Sequence, residues 1–299
     1  MAMTITALIP LALKASLILM VFALGLSANI SDALFVFRRP GQLARAFVAM
    51  DVVVPVVAFG LATTFALEPA VKIALVTLSL APLPPTFSKK PLKAGASISY
   101  TVGLFVSITL IAVVFIPLAL AVLTRVTGIS LQMSPAAVWA LVLWSLLVPL
   151  VAGMVTSRIW PAFGSRAADP LGKAGTVLIL IAFIPVLIQV WPAMISLVGN
   201  GTVVAMTVLA VLAIAAGHLL GGPPQSDRAT LALCSAARHP AIAIAIARAN
   251  FPDQKLAPAA VLLYLLVSAL VAAPYLKWVA RYRSPAIGQI RSSAGFMRP

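Results

Sequence analysis

Ala81-Pro82-Leu83-Pro84-Pro85-Thr86-Phe87-Ser88-Lys89-Lys90-Pro91 cuts across an apolar segment at about residues 69–92, and Ala237-Arg238-His239-Pro240 cuts across another at about 227–250. Proline inside a helix removes a backbone donor, and its ring clashes with the preceding turn. In lipid the freed carbonyls must find partners, so such breaks persist only inside protein or beside a wet cavity. Outward from the two breaks, segments of the ~20 apolar residues that a membrane span needs recur at about 5–28, 41–67, 69–92, 95–123, 134–159, 171–192, 200–220, 227–250 and 255–280. The broken segments are the third and eighth of these nine. Five spans apart, they run in opposite directions, as in an inverted repeat whose site lies where the breaks meet. Nine spans leave one repeat a helix short. The plain alternative is two ordinary proline kinks in a bundle.

Composition supports a lipid-embedded chain. Of 299 residues 62% are hydrophobic and 9% charged, and the mean hydropathy is +1.12, too apolar for an outer shell that faces water. The segment Thr4 to Leu26 reads as a retained span, being long for a signal peptide and lacking a basic leader and a small-residue cleavage pattern. The net charge of +15 does not point to nucleic acid, because the basic residues sit at the ends of apolar segments, where topology signals belong. With the N-terminus outside and nine crossings, fourteen Lys and Arg collect on the inner side and four on the outer, while Lys14, Lys89 and Arg238 fall at membrane depth. This predicts a multi-pass inner (plasma) membrane protein with a cytoplasmic C-terminus. One cysteine, Cys234, and two histidines, His218 and His239, offer neither a disulfide framework nor a zinc-ligand spacing. No nucleophile–base pair or metal cluster can be assembled, so no catalytic residue, metal or cofactor is expected.

Only six acidic residues occur, and Asp51 alone lies deep in a span. A charge at that depth costs at least ~2.5 kcal/mol and needs a partner. Arg238 and Lys89, one at each break, match it in depth. A buried cationic site balanced by Asp51 would accept an anion: an arginine fork gives a carboxylate two parallel hydrogen bonds, and broken helix ends add backbone donors. The structural alternative is a locking Asp51–Arg238 salt bridge. Lys89 has its own alternative, snorkelling to the inner face beside Lys90 and Lys93. Lys14 reads as a snorkelling or cavity-lining residue and His218 as a packing histidine. His239, next to Arg238 at a break, is a residue that could carry a proton. Cys234 reads as a small apolar residue.

Ala23-Leu24-Gly25-Leu26-Ser27, then Phe37-Arg38-Arg39-Pro40, then Val54-Pro55 resembles the opening of the bile acid:sodium symporters. Gly217-His218-Leu219-Leu220-Gly221 and Asp227-Arg228-Ala229-Thr230-Leu231-Ala232 are similar to the approach to that family's second crossing helix, and Phe251-Pro252 to its end. The resemblance covers roughly residues 5 to 282 and rests on order and spacing. It implies an all-α polytopic fold in which a panel domain (about 1–40 and 130–195) stands beside a core domain (about 41–125 and 196–283) with two broken crossing helices, followed by a flexible cytoplasmic tail at 284–299. Family sodium ligands carry over with substitutions. Thr86-Phe87-Ser88-Lys89 takes the place of Thr-Ala-Ser-Asn, so Lys89 replaces the Asn. In the second crossing Cys234 stands for a Glu, Arg238 for a Gln and His239 for an Asn. Tyr100 and Leu104 stand for the Ser and Thr of the next helix, and Met50 for a Gln beside Asp51, leaving Ser88 as the one mapped side-chain ligand that is kept.

Sodium wants oxygen ligands, and a site with two fixed cations in place of a carboxylate repels it. The resemblance with these departures implies alternating-access transport of a small organic anion, a carboxylate or sulfonate, without sodium, by uniport, exchange or proton coupling. The partners expected are that anion and the bilayer, with a proton as an open possibility and no nucleic acid. Two alternatives stay open: a conventional sodium-coupled symporter of organic anions or bile acids, and a non-transporting membrane sensor or scaffold. A polar cavity beside the breaks would favour transport, and apolar filling there would favour a scaffold.

Overall fold

The computed structural model describes residues 5–84, 97–131 and 133–281. They are all-helical, with no strand among the described residues. In chain order the helices are α1 (Ile5–Leu26), α2 (Ile30–Ala33), α3 (Pro40–Thr64), α4 (Pro69–Leu80), α5 (Ile98–Thr127), α6 (Ala136–Ile159), α7 (Pro161–Ser196), α8 (Thr202–Leu220), α9 (Gln225–Ala236), α10 (Pro240–Asn250) and α11 (Ala257–Arg281). Among the described residues seven candidate spans are long and apolar enough to cross a membrane, with α9 and α10 taken together as one; Leu11–Leu26 and Pro69–Leu80 are shorter apolar helices at the first and third expected positions. The protein is an integral membrane protein.

Local chemistry sets many of the boundaries. α3, α4, α7 and α10 begin with proline in the first turn, where the missing N–H is no loss and the fixed φ suits the helix. α2 is held by a reciprocal cap: the Asn29 side chain accepts from the Asp32 N–H, and Asp32 accepts from the Asn29 N–H at 2.9 Å. Ser97 caps α5 by accepting from the Tyr100 N–H at 3.1 Å, and Gly128, at φ 72°, ends that helix.

Two helices carry a π turn, Val48–Val53 in α3 and Leu143–Leu147 in α6. Each lies just before a proline inside the continuous helix, Pro55 and Pro149. Widening the turn relieves the clash of a proline ring with the carbonyl four residues back.

α7 runs further than the apolar segment expected at 171–192, to 36 residues. At 1.5 Å per residue that is about 54 Å, well beyond a bilayer core of about 30 Å. Its first turns continue as a polar helix, carrying the exposed Lys173–Asp169 pair at 2.6 Å. Such a pair contributes only ~0.3–0.5 kcal/mol.

α1 packs against α6 and α7, while α3, α4, α8, α9, α10 and α11 pack largely among themselves. Glycines allow the closest approaches. A Cβ at Gly25 would run into the Leu150 carbonyl, and one at Gly153 into the Phe22 carbonyl, so α1 and α6 touch backbone to backbone. Gly217 does the same for α8 and α9, where a Cβ would lie 2.5 Å from Ala232 Cα.

Candidate functional site

α4 ends at Leu80 because Pro82 and Pro84 follow, and the residue before a proline is pushed to extended backbone; Ala81 has ψ 140°. α9 ends in the same way. Ala237 and His239 are extended (ψ 124° and 106°), and Pro240 then starts α10. The two breaks meet: the His239 N–H donates to the Pro82 carbonyl at 2.8 Å.

A crossing of this kind leaves carbonyls without helical donors. Arg238, only 1% exposed, answers two of them. Its Nη1 donates to the Ala81 carbonyl at 3.2 Å and its Nη2 to the Met50 carbonyl at 2.6 Å. The Met50 carbonyl is free for a reason written in the sequence. In the π register its donor would be residue 55, and Pro55 has no N–H. A third carbonyl, Ala236, accepts from Tyr264 Oη of α11 at 3.2 Å. One guanidinium thus ties α3, the end of α4 and the α9–α10 break together.

The locking salt bridge between Asp51 and Arg238, the structural alternative to an anion site, is not formed. Lys173–Asp169 is the one ion pair among the described residues, and the fork of Arg238 is spent on backbone carbonyls. Asp51 is 5% exposed, close enough to act electrostatically on Arg238, and its Oδ2 has no hydrogen-bond partner. His239 is 3% exposed with both ring nitrogens unpartnered, and Arg238 Nε is likewise unpartnered. Cys234 is a buried free thiol on α9, within electrostatic reach of Arg238. Tyr100, in the first turn of α5, is buried edge-on to Phe35 with ring centroids 6.4 Å apart. Thr86, Ser88 and Lys89 lie outside the described residues.

Asp51, Arg238, His239 and Cys234 therefore converge on the crossing of α4 with α9 and α10. His218 stands apart as a packing histidine, its Nδ1 2.8 Å from Tyr275 Oη and its ring edge-on to Tyr275 and Trp278. Sequence reasoning missed Tyr264. A lone tyrosine in the run Leu262-Leu263-Tyr264-Leu265-Leu266 was the available signal, because a buried phenol needs an acceptor.

The family model of the sodium bile acid symporters matches residues 15–191, over half of the chain, from α1 into α7. The match includes Asp51 and the first break and stops short of Arg238. No curated protein matches the chain. With the matching segment covering more than half of its length and the apolar spans in place, this chain belongs to the sodium bile acid symporter family.

Proposed function

We propose that this protein is a secondary-active or facilitative transporter of a small organic anion, a carboxylate or sulfonate, that works without sodium. The observation that carries it is the guanidinium of Arg238, buried at the crossing and held by the Met50 and Ala81 carbonyls. Carbonyl oxygens are the ligands a hard cation would take. A fixed positive group on them does the same electrostatic work, and a sodium ion beside it would meet strong repulsion at low dielectric. On this reading Lys89 supplies a second fixed cation, and Ser88 and Thr86 belong to the same site. The spent fork of Arg238 assigns it to holding the crossing. The anion is then drawn by the net positive field and by backbone donors at the broken helix ends.

In this proposal α1, α6 and α7 form the panel, and the helices around the crossing form the core that moves against it. The two broken elements are inverted counterparts. The N-terminus faces outward, as the Lys and Arg distribution favours. His239 is the residue placed to carry a proton if the anion is proton-coupled.

A second function, a non-transporting sensor or scaffold, is favoured by the deep burial of Asp51, Arg238 and His239. Uptake by proteoliposomes separates the two. Candidate carboxylates and sulfonates should accumulate with wild-type protein and fail to do so with Arg238→Gln. A folded wild type that moves none of them supports the scaffold.

A further inference from the structure

The start of α3 meets the loop between α8 and α9 at Gly222. Gly222 sits at φ 88°, in the left-handed region, and a Cβ there would lie 3.3 Å from Nη1 and 3.4 Å from Cζ and Nη2 of Arg45. The Arg45 guanidinium therefore lies across the glycine, where a side chain would displace it. The Gly222 carbonyl accepts from Nε of Arg228, in the first turn of α9, at 2.6 Å. Two arginines from different helices are thus seated on one residue. A third, Arg39, lies over the Phe35 ring at 3.9 Å and, like Arg45, acts electrostatically on Asp227. Asp227 takes its hydrogen bonds from Gln42 Nε2 and Ser226 Oγ, each at 3.4 Å, and forms no ion pair among the described residues.

Each guanidinium is oriented by an edge or a face, and its terminal nitrogens are left unspent. Arg45 Nε donates to the Gly41 carbonyl at 3.0 Å, Arg228 is held by its Nε, and Arg39 by its face. No Nη of the three donates to a described residue. A guanidinium fixed in this way presents the fork that meets a phosphate with two parallel hydrogen bonds. Three such groups around one carboxylate leave positive charge in excess, which an anion would balance. The surroundings say where that anion comes from. Leu219, 78% exposed, stands three residues before Gly222, and the exposed Leu34 and Phe37 lie just before Arg39. Bare apolar side chains beside arginines at the ends of spans mark the boundary of water and hydrocarbon, where lipid phosphates lie.

We propose that Arg39, Arg45 and Arg228 hold the phosphate of an anionic phospholipid, with its acyl chains along the exposed apolar side chains beside them. A phosphate on Arg45 and Arg228 bridges α3 to α9, and at the crossing Arg238 joins α3 to the end of α9 from within. The bound lipid braces the same pair of helices from the membrane surface. The claim is independent of the transport proposal, because no residue of the crossing takes part.

The test uses full-length protein in a non-ionic detergent, titrated with phosphatidylglycerol or phosphatidylcholine while its melting is followed. Phosphatidylglycerol is expected to raise the midpoint saturably, and phosphatidylcholine, whose phosphate is balanced by its own amine, is expected not to. Arg45→Gln and Arg228→Gln should each raise the half-saturating concentration about tenfold, the equivalent of about 1.4 kcal/mol. Arg166→Gln, on the polar start of α7, should leave it unchanged. Should a variant fail to fold, the comparison of the two lipids on wild type still decides. Equal stabilisation by both lipids, or equal half-saturation in wild type, Arg45→Gln and Arg228→Gln, overturns the proposal. So does loss of the phosphatidylglycerol effect on adding inorganic phosphate but not an equal ionic strength of chloride, which assigns the site to a soluble phosphate.

Discussion

Arg238 donates to two carbonyls that no helix can serve, so its loss is felt differently from that of a surface arginine. Arg238→Met keeps much of the bulk and removes the donors. Each buried carbonyl left unpartnered costs about 1–3 kcal/mol, and relief of a buried charge offsets part of this. A lowered thermal midpoint is expected, measured by melting in detergent; an unchanged midpoint would contradict a net stabilising role for Arg238. Arg238→Gln goes further. It leaves the Met50 and Ala81 oxygens free to take a cation, so the variant's melting should become sensitive to sodium where the wild type's is not.

Helix contacts make their own demands. Gly153→Val puts a side chain into the Phe22 backbone and must separate α1 from α6, whereas Gly60→Ala on α3 meets nothing within 4 Å. The first variant is expected to melt well below wild type. The second should be neutral or stabilising by about 0.5–1 kcal/mol through helix propensity. Equal melting of the two would deny the close α1–α6 packing. Elements were also where the sequence was most legible. Pro82, Pro84 and Pro240 announced both breaks, because a missing donor and a fixed φ act locally. The length of α7 was not legible: Arg166, Asp169 and Lys173 end the apolar signal while the helix continues into water. Nor was the partner of Arg238. A buried charge suggests an opposite charge, and Asp51 was the one acid at that depth. The π turn before Pro55 freed a backbone carbonyl instead, and no side-chain pattern announces that.

Across the whole molecule, positive charge and solvent access set what is open to test. Cys234 is the sole cysteine and is buried, so wild-type protein should resist a membrane-impermeant maleimide. A cysteine placed at Lys255 should label from outside intact cells, and one at Arg39 only after the membrane is opened; the reverse pattern would invert the proposed orientation. The most direct test of the central claim is anion uptake into proteoliposomes with sodium, potassium or choline as the sole cation. The melting of the same protein is followed in each salt. Uptake and melting are expected to be indifferent to the cation, with uptake lost in Arg238→Gln and in Lys89→Asn. Sodium-driven uptake or a sodium-raised melting point in the wild type would contradict the fixed-cation account and make this a conventional sodium symporter.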